Sequence, residues 1–203
     1  MLVQSGNDAT VALAEHIAGD ESTFAQLMNQ VAKDLGMKNS HFTNSSGLPD
    51  EQHYTTARDL SILTRALIIE SPELYKINAI KEYTFNGITQ QNRNKLLWRD
   101  STVDGVKTGH TEDAGYCLVS SAVRDNMRLI SVVMGTDSVA ARNDTNQALL
   151  NYGYRFYKTH LLYKAHQSLT SARVWKGAQK NLAAGLSKDL YLTIPRNEYK
   201  SLD

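Results

Sequence analysis

With 203 residues, 41% of them hydrophobic and 21% charged, the chain has the composition of a folded globular protein with room for one core and a small second unit. Its formal net charge of +1 comes from scattered lysines and arginines, so no basic patch implies nucleic acid and no polybasic stretch implies a membrane surface. No apolar run approaches the ~18 residues of a membrane span, and Met1-Leu2-Val3 lacks the regions of a signal peptide, so the chain is expected either to be cytoplasmic or to lack the ends of a longer protein.

In chain order, Gln4-Ser5-Gly6-Asn7-Asp8 leads into a helix over Ala9 to Ala18, with Val11, Leu13, Ala14 and Ile17 as its apolar stripe and Asn7 or Asp8 as its cap. Ser5 is thereby placed in a tight loop at a helix start. A second helix, Thr23 to Leu35, carries Phe24, Leu27, Met28, Val31 and Leu35 inward and stops at Gly36. Residues Asn39 to Thr56 are too polar for a buried element and long for a plain connection, which leaves an ordered functional loop or a surface excursion, with turns at Asn44-Ser45-Ser46-Gly47-Leu48-Pro49. A helix follows from Ala57 to Ile69, then a short one near Pro72 to Ile77, then a hairpin and loop from Tyr83 to Trp98.

Alternation and β-branched content predict three consecutive antiparallel strands at Val103–Thr111, Tyr116–Val123 and Leu129–Met134, turning at Glu112-Asp113 and Asp125-Asn126. Cys117, the single cysteine, falls in the second and reads as a small buried hydrophobe; with one cysteine there is no internal disulfide. A long helix from Ser138 to Tyr157 carries Arg142 in its first turns. From about Lys158 the texture becomes β-rich: an irregular Leu161–Leu169 precedes strands at Val174-Trp175 and Leu190–Ile194, and the strand at 190 ends at Pro195. This predicts an α+β chain of two parts, 1–157 and 158–203. His16, His41, His53, His160 and His166 show no metal-ligand spacing, so neither a metal nor another cofactor is expected.

The first strand of the meander carries Lys107-Thr108-Gly109, in which a cation and a hydroxyl address an anion while glycine lets another chain approach the backbone. About a hundred residues earlier, Ser5-Gly6-Asn7 opens a helix. Together these resemble the penicilloyl-serine enzymes with their Ser-x-x-Lys, Ser-x-Asn and Lys-Thr-Gly set. Ser-Gly-Asn-Asp-Ala at Ser5, Asn-Gly-Ile-Thr-Gln-Gln-Asn-Arg-Asn at Asn86, Val-Asp-Gly-Val-Lys-Thr-Gly-His-Thr at Val103 and Val-Val-Met-Gly at Val132 are similar to the low-molecular-mass D-alanyl-D-alanine carboxypeptidases of Gram-negative bacteria.

The resemblance implies a β-lactamase/transpeptidase-like domain followed by the start of a small β-rich domain. It implies a serine-type carboxypeptidase acting on peptidoglycan peptides ending in D-Ala-D-Ala and acylated by β-lactam antibiotics, in the periplasm, held to the inner membrane by a C-terminal anchor not seen here. It gives catalytic roles to Ser5, Asn7 and Lys107, and substrate contacts to Thr108, Gly109, the His110 backbone, Arg142 and Arg93. No serine in the chain has a lysine three residues on. The family's acylating serine would precede Met1, so a partial chain is expected, inactive alone, without the two N-terminal strands and with an apolar edge exposed at Leu129–Gly135. A β-lactamase is the rival enzyme, but no Glu-x-x-Leu-Asn lies between Asn7 and Lys107. The other alternative is a non-catalytic module that binds cell-wall peptide or a partner. The sequence leaves oligomeric state open.

Overall fold

In the computed structural model, which describes residues 1–199, helices occupy Asn7–Ala18 (α1), Glu21–Leu35 (α2), Ala57–Glu70 (α3), Pro72–Tyr75 (α4), Leu96–Arg99 (α5) and Val139–Phe156 (α6). Strands run at Glu82–Phe85 (β1), Ile88–Gln91 (β2), Val103–Thr111 (β3), Gly115–Arg124 (β4), Met127–Thr136 (β5), Tyr157–Tyr163 (β6), Ser168–Arg173 (β7), Asn181–Gly185 (β8) and Leu190–Pro195 (β9). The chain divides into two compact units, Met1–Asn151 and Tyr152–Asp203. Residues 200–203 of the expected second part lie outside the described residues.

The expected meander is present: β3, β4 and β5 form an antiparallel sheet in that order, with Gly109 opposite Cys117 and Val119 opposite Val132. Val106, Leu118, Ala122 and Val133 of the sheet are buried, as are Leu96 and Leu97 of α5 and Leu150 of α6. One sheet edge is β3 and the other is β5, which pairs only with β4 among the described residues and is covered on one face by α3. At Gly105 a side chain could not be placed, because a Cβ would meet the Tyr75 hydroxyl at 2.6 Å. That hydroxyl donates to Asp104 Oδ1 at 2.9 Å, and Arg128 closes the cluster on the same carboxylate. The start of β3 is thus clamped by side chains from α4 and β5.

Helix ends follow local chemistry. Asp20 caps α2 by accepting from the Thr23 N–H and hydroxyl, and Gly36, at φ +80°, adopts the left-handed turn that ends it. The start of α1 corrects the sequence reading: Gly6 is the cap position, and Asn7 lies inside the first turn with its side chain uncommitted to capping. The apolar stripes of α1 and α2 are also only partly internal, since Ala14, Ala25 and Ala32 are buried while Leu13, Ile17, Leu27 and Val31 are exposed. Periodicity identifies a helix and its apolar face, but not whether a neighbour covers that face.

In the second unit, β6 pairs with β9 and β7 with β8. Two expectations change there. Within Leu161–Leu169, expected to be irregular, residues 161–163 end the regular strand β6 and residues 168 and 169 begin β7, and Val174-Trp175 falls in the turn after β7 rather than in a strand.

The start of the long polar loop is anchored by one buried acid. Asp59, 1% exposed, accepts from the Asn39 N–H at 2.8 Å and the Ser40 hydroxyl at 2.7 Å. Replacing it by alanine strands the Asn39 N–H and leaves the Ser40 hydroxyl only Thr55 Oγ1, at 2.8 Å, and Asp59→Ala is expected to lower stability by about 2 kcal/mol in a urea titration. A loss under about 0.5 kcal/mol, the size of an ordinary surface change, would show that the loop is ordered by something else.

Candidate active site

Ser5 is held before α1 by an unusual backbone. Its φ is +62°, in the left-handed region, and its N–H donates to the Met1 carbonyl at 2.8 Å. The Thr10 hydroxyl donates to the Gly6 carbonyl at 3.0 Å, and the Arg93 N–H reaches the Val3 carbonyl at 3.3 Å. The turn therefore has a fixed address relative to α1 and to the segment that carries Arg93. Its consequence is a side chain aimed at β3: Lys107 Nζ donates to Ser5 Oγ at 2.7 Å and to the Thr108 carbonyl at 2.8 Å.

Ser5, Asn7, Lys107, Thr108, Gly109 and His110 all line one cleft of about 440 Å³. The far wall is the turn Ser45–Leu48, which the sequence places in a loop but does not link to the site. Glu21, at the start of α2, accepts from the Ser45 N–H at 3.0 Å and its hydroxyl at 2.6 Å, while Asn44 Oδ1 accepts from the Gly47 and Leu48 amides. Those hydrogen bonds hold the Glu21 carboxyl below its ordinary range.

Cys117 also lines the cleft and is half-buried, which corrects its reading as a core hydrophobe. The reason is the residue across the ladder: Gly109 has no side chain to cover it. His110 packs its ring on Tyr116, with centroids 4.0 Å apart, at the exposed end of β3.

The two arginines behave differently. Arg142 is 4% exposed, and its Nη1 donates to the carbonyls of Gly109 and Cys117 at 3.2 and 3.4 Å, so it braces β3 against β4 from behind. Arg93 is exposed, on a turn fixed by Asn92 and Asn94, and Asn94 Nδ2 donates to the Gly105 carbonyl at 3.0 Å. Neither arginine lines the cleft, but both act on it by charge. Burial first, then the like charges of Arg93 and Arg142, push the Lys107 ammonium down to about 8. The arrangement is a lysine poised to share a proton near neutral pH, a hydroxyl in contact with it, and a free strand edge beside them. Among the described residues no group of histidines, cysteines or carboxylates is arranged to hold a metal.

This geometry points to a class: a Ser-x-Asn turn facing a Lys-Thr-Gly edge strand, two of the three motifs of the penicilloyl-serine enzymes. A family model described as D-alanyl-D-alanine carboxypeptidase matches residues 1–138, and one described as the C-terminal domain of penicillin-binding protein 5 matches residues 157–203. The chain belongs to the D-alanyl-D-alanine carboxypeptidase family. It is 47% identical over 201 residues to D-alanyl-D-alanine carboxypeptidase DacA of Escherichia coli, covering 98% of this chain and 50% of that one, and 44% identical over 203 residues to DacC of the same organism, covering 100% and 51%. Penicillin-binding protein 5 from Haemophilus influenzae superposes with a TM-score of 0.89 at 44% identity, over 98% of this chain and 58% of that one. The chain thus spans about half the length of the curated relatives it matches.

If the lysine is depressed as described, its ε-ammonium titrates near pH 8 in nuclear magnetic resonance of lysine-labelled protein. Arg93→Ala removes a like charge, so the midpoint moves upward toward the ordinary lysine value. A midpoint near 10.5 in both proteins would contradict the buried, cation-flanked setting.

Proposed function

We propose that these residues form the proton-relay and substrate-holding side of a serine-type D-Ala-D-Ala carboxypeptidase, which removes the terminal D-alanine from peptidoglycan pentapeptides in the periplasm. The observation that carries this reading is the 2.7 Å contact between Lys107 Nζ and Ser5 Oγ, made across 102 positions of sequence at the mouth of a cleft edged by a free strand.

In this reading, the hydroxyl of an acylating serine attacks the carbonyl carbon of the penultimate D-alanine. The C–N bond breaks, the acyl group is left as an ester, and water later hydrolyses that ester. Ser5 passes a proton to the departing amine, with Lys107 setting its charge state. Asn7, whose amide both donates and accepts, holds the substrate backbone. Lys107 and the Thr108 hydroxyl meet the terminal carboxylate, Gly109 keeps the edge open, and the His110 N–H faces the developing oxyanion. Arg142 acts by bracing the Gly109 carbonyl and adding positive charge, and Arg93 adds charge from the rim. β-Lactams enter the same cleft as acylating analogues of the peptide. Residues 1–157 contribute this part of the catalytic domain, and 158–203 part of the β-rich domain that follows; attachment to the inner membrane is assigned to the family's C-terminal anchor.

The bond-breaking step needs a Ser-x-x-Lys, and no serine among the 203 residues begins one. That observation favours a second reading for the chain by itself: it binds a D-Ala-D-Ala peptide or a partner without cleaving it.

The test is intact mass after benzylpenicillin treatment, of this chain and of a longer protein with a family Ser-x-x-Lys region joined upstream. The expected result is a penicilloyl adduct on the Ser-x-x-Lys serine of the longer protein, none on the shorter, and acylation at least tenfold slower after Lys107→Ala. An adduct on Ser5 of the short chain would overturn the role given to it. A folded longer protein that forms no adduct would leave the family's fold without its chemistry.

A further inference from the structure

The two sides of the Lys107 cleft are held in different ways. One side is the edge of β3 from Lys107 to Thr111, fixed by its pairing with β4. The other is the turn Ser45–Leu48, which belongs to the long polar loop and has no ladder to hold it. Most hydrogen bonds of that turn stay inside it: Asn44 Oδ1 accepts from the Gly47 and Leu48 amides at 2.7 and 3.1 Å, and Asn44 Nδ2 donates to the Leu48 carbonyl at 3.0 Å. Such bonds set the shape of a turn but not its distance from β3. Among the described residues, the hydrogen bonds that leave residues 44–48 for a helix are the two from Ser45, its N–H at 3.0 Å and its hydroxyl at 2.6 Å, and both end on Glu21 Oε1.

Glu21 is the first residue of α2, and the same helix pins the loop again at Phe42, whose N–H and carbonyl both bond the Asn29 side chain. The loop thus follows α2 from Asn29 back to Glu21, about 12 Å by the helical rise. Without the Glu21 contact, the tip of the loop is attached to α2 only through Phe42. Helix α2 in turn follows α1 after Gly19-Asp20, and α1 carries Asn7 and Thr10, which line the cleft. Glu21 therefore refers the far wall to the helical pair that also presents the Ser-x-Asn side. Glu21 itself does not line the cleft.

Resting on the carboxypeptidase reading, we propose that Glu21 is a positioning residue for substrate: it holds the Ser45–Leu48 wall at the spacing that a D-Ala-D-Ala peptide lying on β3 requires. Its contribution is to binding, because a wall set before the peptide arrives need not be ordered when it associates. It leaves Lys107 as it is, since the charges acting on that ammonium are those of Arg93 and Arg142. Because both bonds from Ser45 end on one oxygen, an amide in place of the carboxylate can accept them both.

The test is an amide-resolved nuclear magnetic resonance titration of the 203-residue chain, Glu21→Ala and Glu21→Gln with acetyl-D-Ala-D-Ala. Glu21→Ala removes the acceptor and is expected to weaken binding about tenfold, the equivalent of one hydrogen bond to a charged group. Its amide shifts without peptide should differ from those of the parent chain at Ser45–Leu48 and the first turn of α2, and Lys107 should titrate as in the parent. Glu21→Gln keeps the accepting oxygen and is expected to bind within about threefold of the parent. A role confined to stability would lower the urea midpoint of Glu21→Ala and leave the affinity of the folded protein unchanged. That result, or equal weakening by alanine and glutamine, would overturn the inference while leaving the carboxypeptidase reading in place. A folded parent chain that binds no acetyl-D-Ala-D-Ala would defeat that reading, and the inference with it.

Discussion

The hydrogen bond from Lys107 to Ser5 joins two points 102 residues apart, and much of the first unit serves to keep those two points in contact. Neither end is positioned by its own element alone. Ser5 sits in a left-handed conformation that a non-glycine residue adopts only under constraint, and the constraint is a set of carbonyl and amide contacts to Met1, Arg93 and Thr10. Lys107 lies on an edge strand, whose outward side makes no ladder bonds among the described residues, so its register depends on what grips the strand elsewhere.

That grip comes from three directions. Near its start β3 is held through Asp104 by Tyr75 and Arg128, and through the Gly105 carbonyl by Asn94. At the other end Arg142 holds the Gly109 carbonyl from behind the sheet. Between these points the strand pairs continuously with β4, so a lateral shift would break polar contacts at both ends together. The Tyr75 hydroxyl, buried and facing Asp104, has its pKa pushed upward mainly by desolvation, so it remains a donor over the working pH range.

The meander was legible in the sequence because it is local: alternation marks each strand and turn residues mark each reversal, whereas the pairing of Ser5-x-Asn7 with Lys107-Thr108-Gly109, 102 residues on, was implied only by the family resemblance. What was not legible depends on contacts between distant segments. Glu21 reads as an ordinary first-turn acid until the structure shows Ser45 on it, 24 residues away. Cys117 reads as core until the register places it opposite a glycine. Asn7 reads as a cap because asparagine commonly is one, but the strained Ser5 turn moves the cap to Gly6 and leaves the Asn7 amide in the cleft. In each case sequence gives the residue's preference, and a neighbour that the fold sets against it decides its use.

The electrostatics of the site explain why such bracing is needed. Lys107 is half-buried, its Nζ donates to a neutral hydroxyl and a carbonyl, and its neighbours by charge are two further cations. A fall from 10.5 to about 8 corresponds to roughly 3 kcal/mol acting against the charged form, at about 1.4 kcal/mol for each unit. Left to itself, a mobile lysine would relieve this by turning toward solvent or toward an acid. Here the Ser5 turn and the Thr108 carbonyl fix it facing the cleft. The cost has two parts, loss of water first and the like charges of Arg93 and Arg142 second, and both are present in the folded state itself. The Asn-Arg-Asn turn at 92–94 and the buried Arg142 are then best understood together: each ties a backbone carbonyl of β3 in place while adding the positive charge that makes Lys107 receptive.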